Sequence, residues 1–241
     1  MHLSVVIPAY NEEKRISKTL RSINEYLKKQ NYLYEILVVS DGSKDNTAKV
    51  VNDLTSEIKN LRLIDNKQNK GKGYVVRQGI MVASGKYRLF TDADNSTSID
   101  QIEKMWPWFE KGKFDVVIGS RDLKDSILDP PQSWLRHFIL GEGFKLFRKL
   151  VVGLWGMEDT QCGFKCFSDK MVEEVFPKCV IDRFAFDPEI LIVAKKKGYK
   201  IKEMPVCWKN DLSSTVKFNG IIKMALDMFK IKFNNLKGIY N

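Results

Sequence analysis

Two histidines and four cysteines among 241 residues leave little material for a soft-metal centre or a disulfide framework. Cys162, Cys166, Cys179 and Cys207 fit no zinc-ligand spacing and read as small buried hydrophobes. Long apolar runs are also missing. No stretch free of charged side chains is longer than Met1–Asn11, whereas a bilayer span needs about 20 apolar residues, so no transmembrane helix is expected. MHLSVVIPAY enters directly into a strand-like run without a basic leader or a small-residue cleavage site, which points to a cytoplasmic location. There is no internal repeat and no low-complexity tract. Lys70-Gly71-Lys72-Gly73 lacks the G-x-x-x-x-G-K-[ST] spacing, which excludes a nucleoside-triphosphatase phosphate loop.

What is present is an ordinary globular composition: 44% hydrophobic, 29% charged and 11% aromatic. A chain of this size buries roughly 73% of its unfolded surface, so a substantial core forms without staples, and whole-chain disorder is excluded. The net charge of +10 is unevenly placed. From residue 195 onward, eleven lysines face only Glu203, Asp211 and Asp227. Such an excess suits a polyanionic partner: nucleic acid, anionic lipid headgroups or a phosphorylated substrate. A solvated lysine-rich face is the plainer reading.

The first 120 residues alternate β-rich runs (3–8, 35–40, 60–65, 87–92, 114–120) with helical patterns (12–29, 45–55, 72–83, 99–110). Ile16, Leu20, Ile23 and Leu27 mark the buried stripe of the first helix. This alternation predicts an α/β fold, doubly wound, with a mostly parallel sheet covered by helices on both faces. Ligands bind such sheets at the carboxyl ends of the strands. Pro8-Ala9-Tyr10-Asn11, Ser40-Asp41-Gly42-Ser43 and Thr91-Asp92-Ala93-Asp94 each follow a strand, so three polar clusters should meet at one edge. Beyond residue 120 the alternation breaks down. The apolar stretch 134–155 carries Arg136, Lys145, Arg148 and Lys149, and is expected either to lie in a membrane interface with its basic side chains snorkelling or to pack on the domain's own sheet. From 219 to 240, Ile222, Leu226, Phe229, Phe233, Leu236 and Tyr240 form one stripe and Lys223, Lys230 and Lys237 a neighbouring one. That is a basic amphipathic helix, read as a membrane-surface or docking element.

Asp92 and Asp94, two residues apart in a loop, can turn toward one hard cation such as Mg²⁺ or Mn²⁺ and leave positions open for substrate phosphates. Asp41, with Gly42 allowing a tight turn, could accept hydrogen bonds from a base or ribose. Ser43 or Asp45 would serve equally as a helix cap.

Together VVIPAYNE (5–12), VVSDGSKDNT (38–47), NKGKG (69–73), DADNS (92–96), GSR (119–121) and DTQCGFK (159–165) resemble the motifs of family 2 glycosyltransferases with a GT-A fold. The last motif, with FAFDPEIL (184–191) and PVCW (205–208), is similar to the dolichyl-phosphate β-glucosyltransferase branch, beside the dolichyl-phosphate mannosyltransferases. The resemblance covers residues 3 to 217. It implies that Pro8, Ala9, Tyr10, Glu12, Val39 and Asp41 hold the nucleoside of a nucleotide sugar, with Asp92 and Ala93 at the diphosphate and Asp94 binding it through Mg²⁺ or Mn²⁺. Ser96 stands where the mannosyltransferase branch has a metal-binding Gln. Arg121 and Arg136 match positions near donor or acceptor phosphate, and Lys217 a basic position closing over the donor. Ser40 replaces a second Asp, and Lys209 and Asp211 occupy the region of a late Arg-then-Lys pattern.

The implied reaction is inverting transfer of a hexose, glucose first, from UDP-glucose, with GDP-mannose as the other donor, to a polyprenyl or dolichyl phosphate. A lipid phosphate is ionised at pH 7 and needs no general base; Arg121 and Arg136 would hold it, and Asp94 and Arg121 would act in catalysis. A glycan hydroxyl as acceptor would need a base, for which Asp187 is the candidate. A non-enzymatic third reading makes the basic end a nucleic-acid or membrane surface, but nucleic acid does not account for the ordered acidic loops. The chain is expected to be one domain: a nucleotide-sugar half (1–120), an acceptor half (121–217) and the C-terminal helix (218–241). It would lie peripherally on the cytoplasmic face of an anionic membrane, alone, as a homo-oligomer or with a separate membrane partner.

Overall fold

The computed structural model describes residues 1–130, 143–209 and 218–241. Strands β1 (Leu3–Ala9) and β2 (Tyr34–Asp41) are almost wholly apolar and buried along their length, as central parallel strands must be. With β3 (Leu61–Asn66), β4 (Tyr87–Thr91), β5 (Val116–Ser120), β7 (Phe164–Ser168) and β8 (Ile201–Pro205) they form one seven-stranded sheet in the order β3-β2-β1-β4-β7-β5-β8. β6 (Ile127–Asp129) and β9 (Cys207–Lys209) make a small parallel pair beside it.

Alternation along the strands sends side chains to two cores. Val5, Ile7, Ile36 and Val38 face α1 (Ile16–Leu27) and α2 (Thr47–Leu54). Val6, Leu37, Val39 and Phe90 face α3 (Lys72–Val82), α6 (Asp169–Val175) and α7 (Phe186–Lys196). In α1 the expected stripe Ile16, Leu20, Ile23 and Leu27 is buried. The helix begins at Ile16 rather than Glu12; the Glu12 and Glu13 backbone N–H groups are taken up by Thr47 Oγ1 (2.7 Å) and Asp45 Oδ2 (3.1 Å). The 99–110 segment divides into a 3₁₀ turn (Ile99–Lys104) and α4 (Trp106–Glu110). Pro107 has no N–H to continue one helix through that point.

The sheet is mostly parallel, as expected, and two features refine the sequence expectation. The sheet is mixed at its centre: β7 runs antiparallel to both β4 and β5, whereas the other pairs in the seven-stranded sheet are parallel. The C-terminal helix α8 (Phe218–Leu236) also ends before Tyr240. Gly238 takes φ +74, and the Gly238 and Ile239 N–H groups bond back to Asn235 O and Asn234 O (3.2 and 3.0 Å). Such a left-handed glycine closes a helix. It turns Tyr240 away from the exposed stripe and into the core, where it is fully buried.

The helix α5 (Gly143–Val152) packs on α8, with the Phe147 and Phe229 rings 5.6 Å apart. Its basic residues do not snorkel. Lys145 pairs with Asp122 (2.9 Å), Lys149 with Glu158 (3.2 Å), and Arg148 is buried, donating to Met157 O (2.7 Å). Leu146 and Leu150, and from α8 Ile222, Leu226, Phe229, Phe233 and Leu236, are exposed. Among the described residues no helix is long and apolar enough to cross a membrane.

Candidate active site

A cavity of about 420 Å³ opens at the carboxyl edge of β1, β2 and β4. Pro8, Ala9, Tyr10 and Glu12 reach it from the end of β1, Asp41 from β2, and Asp92, Ala93 and Asp94 from β4. The three strand ends expected to converge do so. Val39 does not line this cavity: it is fully buried on the α3 face of the sheet, against Gly79. Arg136 and Lys217 lie outside the described residues.

The Asp92–Asp94 loop is fixed from several sides. Thr19 Oγ1 donates to Ala93 O (2.7 Å), Asp92 N donates to Gly163 O (3.2 Å), and Asn95 turns the chain at φ +55. Asp94 Oδ1 accepts from Ser96 N (2.9 Å). The Ser96 side chain is buried, and its hydroxyl has no hydrogen-bond partner among the described residues. Gly163 is packed so tightly on Asp92 that a Cβ there would lie 1.9 Å from Asp92 Oδ2. Gly163→Ala is therefore expected to push the carboxylate out of place and cut transfer by about 10²-fold, with Mn²⁺ binding, followed by electron paramagnetic resonance, weakened in parallel.

Lysine 72, at the start of α3, places its Nζ 2.6 Å from Asp92 Oδ1. Burial works against this ammonium, but Asp92, Asp187 and Asp94 around it hold it above the usual lysine range. Below the cavity Lys165, 1% exposed, lies 2.6 Å from Asp187 Oδ1, and also donates to Cys162 O. Burial pushes the Asp187 carboxyl up, opposed by Lys165 and Lys72. Asp187 is only 4% exposed and does not line the cavity. Its position is that of a counter-ion to two lysines.

The loop before α3 forms the far wall. Asp41 accepts from Lys70 N (2.7 Å) and Gly71 N (2.9 Å), so its carboxylate pins this loop to the end of β2. Burial nevertheless pushes its carboxyl above the ordinary range. Gly71, at φ +110, has Asp182 O where a Cβ would sit at 2.3 Å, and only glycine fits. Lys72, Arg183 and Phe184 also line the cavity; Lys72 and Phe184 fall within the motifs at 69–73 and 184–191, but none of the three is given a role at the donor from sequence. The two glycines flanking Lys72 were the available signal.

Arg121, set apart from the cavity lining, is gripped by Asp159. Its Nε and Nη2 donate to Oδ2 and Oδ1 (2.7 and 3.0 Å), and its backbone N also reaches Oδ2 (3.0 Å). Burial alone would raise the Asp159 carboxyl, but Arg121 holds it well below the usual carboxylate range. Glu203 accepts the N–H groups of Glu158 and Asp159 (2.8 and 2.9 Å), bracing this segment from β8.

Hard oxygen donors on Asp92 and Asp94, side by side at a solvent-open cavity, suit Mg²⁺ or Mn²⁺. Among the described residues no group of three or more His, Cys, Asp or Glu side chains is arranged to hold a metal ion, so remaining ligands would come from other side chains, substrate and water.

The model of Glycosyl transferase family 2 matches residues 4–176. The chain belongs to this family. It is a family 2 glycosyltransferase that is 40% identical over 252 residues to a dolichyl-phosphate beta-glucosyltransferase of Dictyostelium discoideum, covering all of this chain and 76% of that protein. To the enzyme of the same name from Saccharomyces cerevisiae it is 36% identical, over 99% of this chain and 76% of the other. Solved structures share the GT-A architecture at low identity. Mannosyl-3-phosphoglycerate synthase from Rubrobacter xylanophilus superposes with a TM-score of 0.71 at 16% identity, over 99% of this chain and 74% of that one. Glucosyl-3-phosphoglycerate synthase from Mycobacterium tuberculosis, solved with UDP, gives 0.66 at 14% identity over 97% and 79%. A mannosyltransferase from Pyrobaculum calidifontis, in complex with GDP-Man and Mn²⁺, gives 0.57 at 15% identity over 95% and 69%.

Proposed function

We propose that this glycosyltransferase moves glucose from UDP-glucose to a dolichyl or polyprenyl phosphate, with inversion at the anomeric carbon. The observation that carries the reading is the cavity in which Tyr10 and Asp41 stand opposite the Asp92/Asp94 pair, within a chain whose full-length relatives are named for transfer of glucose to dolichyl phosphate. Asp92 and Asp94 would hold Mg²⁺ or Mn²⁺, with the unpartnered Ser96 hydroxyl as the candidate for a third ligand. When bound, the ion supplies positive charge against the departing nucleoside diphosphate. Lys72 is placed to release Asp92 and turn its ammonium to the same phosphates. Tyr10 and the end of β1 form the floor for the nucleoside, and Lys217 would close over it.

The acceptor oxygen, already ionised, attacks the anomeric carbon opposite the leaving group. No proton has to be removed. The enclosed, lysine-paired position of Asp187 fits that chemistry better than it fits a general base for a hydroxyl acceptor. Arg121, with Arg136, would hold the acceptor phosphate, and the grip of Asp159 orients its guanidinium for that task. The exposed apolar residues of α5 and α8, with exposed Lys223, Lys230 and Lys237 beside them, would seat the protein peripherally on an anionic membrane on its cytoplasmic face.

The test offers labelled UDP-glucose and Mn²⁺ to the protein with vesicles that contain either polyprenyl phosphate or the matching polyprenol. Organic-phase label is expected with the phosphate alone. Label passing equally to the alcohol, or to neither, overturns the reading, and GDP-mannose run in parallel sets the donor.

A further inference from the structure

The last turn of the chain reaches the donor cavity through two buried side chains. Tyr240, folded inward by the Gly238 turn, donates its hydroxyl to Glu189 Oε1 (2.7 Å) and accepts from Asn234 Nδ2 (3.2 Å). Glu189, on α7, is 0% exposed. Its oxygens also accept the N–H of Val180 (3.0 Å) and of Ile181 (2.9 Å). A buried carboxylate survives only with such a set of donors. Here the set consists of one hydroxyl from the end of α8's closing turn and two backbone amides that open the segment 180–185.

That segment is a wall of the cavity. Its carbonyls at Ile181 and Asp182 occupy the places where side chains on Gly73 and Gly71 would stand. Asp182 O accepts from Tyr74 N (3.1 Å), and its carboxylate meets Arg77 (2.6 Å). Arg183 Nη1 donates to Asn69 Oδ1 (2.8 Å), and both Arg183 and Phe184 line the cavity. The glycine loop carrying Lys72 therefore leans on 180–185, and 180–185 hangs from Glu189.

We infer that Tyr240 and Glu189 are positioning residues for the nucleotide-sugar site: they fix the 180–185 wall, and so tie the helix that carries the exposed apolar stripe to donor affinity. The inference rests on the reading of this cavity as the donor site. Neither residue touches substrate.

The experiment compares wild type, Tyr240→Phe and Glu189→Gln, all well below their melting temperatures, with Ile231→Val, buried in α8, as a control. Calorimetry with UDP and Mn²⁺ is expected to show roughly tenfold weaker binding in both variants, and amide exchange at Val180 and Ile181 to be roughly tenfold faster. In turnover the donor KM should rise while kcat at saturating donor is kept. Ile231→Val should lower the melting temperature without either effect. Unchanged exchange and affinity in Tyr240→Phe, or the same changes in the control, overturn the inference. Faster exchange in a protein whose wild type binds no UDP would uphold the support role and overturn the donor reading instead.

Discussion

Asp94→Ala is expected to reduce glucosyl transfer by at least about 10³-fold, the scale reached when a leaving group loses the charge that stabilises it. The substitution removes one carboxylate of the Asp92/Asp94 pair and, with it, the bond from Ser96 N that shapes the loop. Asp94→Asn separates those effects, because an amide oxygen still accepts from Ser96 N but brings no negative charge. Both variants should fail in the organic-phase assay, and only the alanine variant should also disturb the loop. Removing divalent metal with a chelator should reproduce the loss in wild type and add nothing to it in Asp94→Ala. Transfer within tenfold of wild type in the asparagine variant would remove the acidic pair from the chemistry.

The second large effect concerns stability. Asp159→Ala leaves the mostly buried Arg121 guanidinium, with side-chain exposures of 24% and 3% across the pair, without its carboxylate. Breaking a buried pair from one side costs about 3–5 kcal/mol, which for a chain of this size lowers the melting temperature by roughly 6–20 °C. The pH dependence has a definite sign. The Asp159 carboxyl is held below its unfolded value, so its contribution is complete above about pH 4 and fades as the pH falls further. Wild type and variant should therefore converge in acid. A variant that melts with wild type at pH 7 would mean that the pair contributes nothing net.

Much of the site's placement was legible because it depends on short-range grammar. Tyr10 just after β1, Asp41 at the end of β2 and Asp92 just after β4 must come to one edge when the strands run parallel. What stayed hidden depends on distant partners. Asp187 reads as a free carboxylate until Lys165 is found beneath it, and Arg148 reads as a surface arginine until α5 is seen to turn it inward. The family resemblance implies Val39 at the donor, but strand alternation sends it to the opposite core from Val38, away from the cavity lining. Tyr240 was misplaced for a local reason: the helical period was carried through Gly238, the residue at which the helix closes.

The antiparallel β7 bears on whether residues 1–120 could form a stable unit by themselves. β5 joins the rest of the sheet only through β7, since it pairs with β7 and β8 and not with β4. A chain halted near residue 120 would thus leave the outer edge of β4 bare in the middle of the protein, an open invitation to pair with another copy. During synthesis the sheet cannot be sealed until residues 164–168 have emerged and slipped between strands made much earlier. The acidic loop after β4 and Gly163 just before β7 meet in that same event, so closing the sheet and seating Asp92 are one step of assembly rather than two.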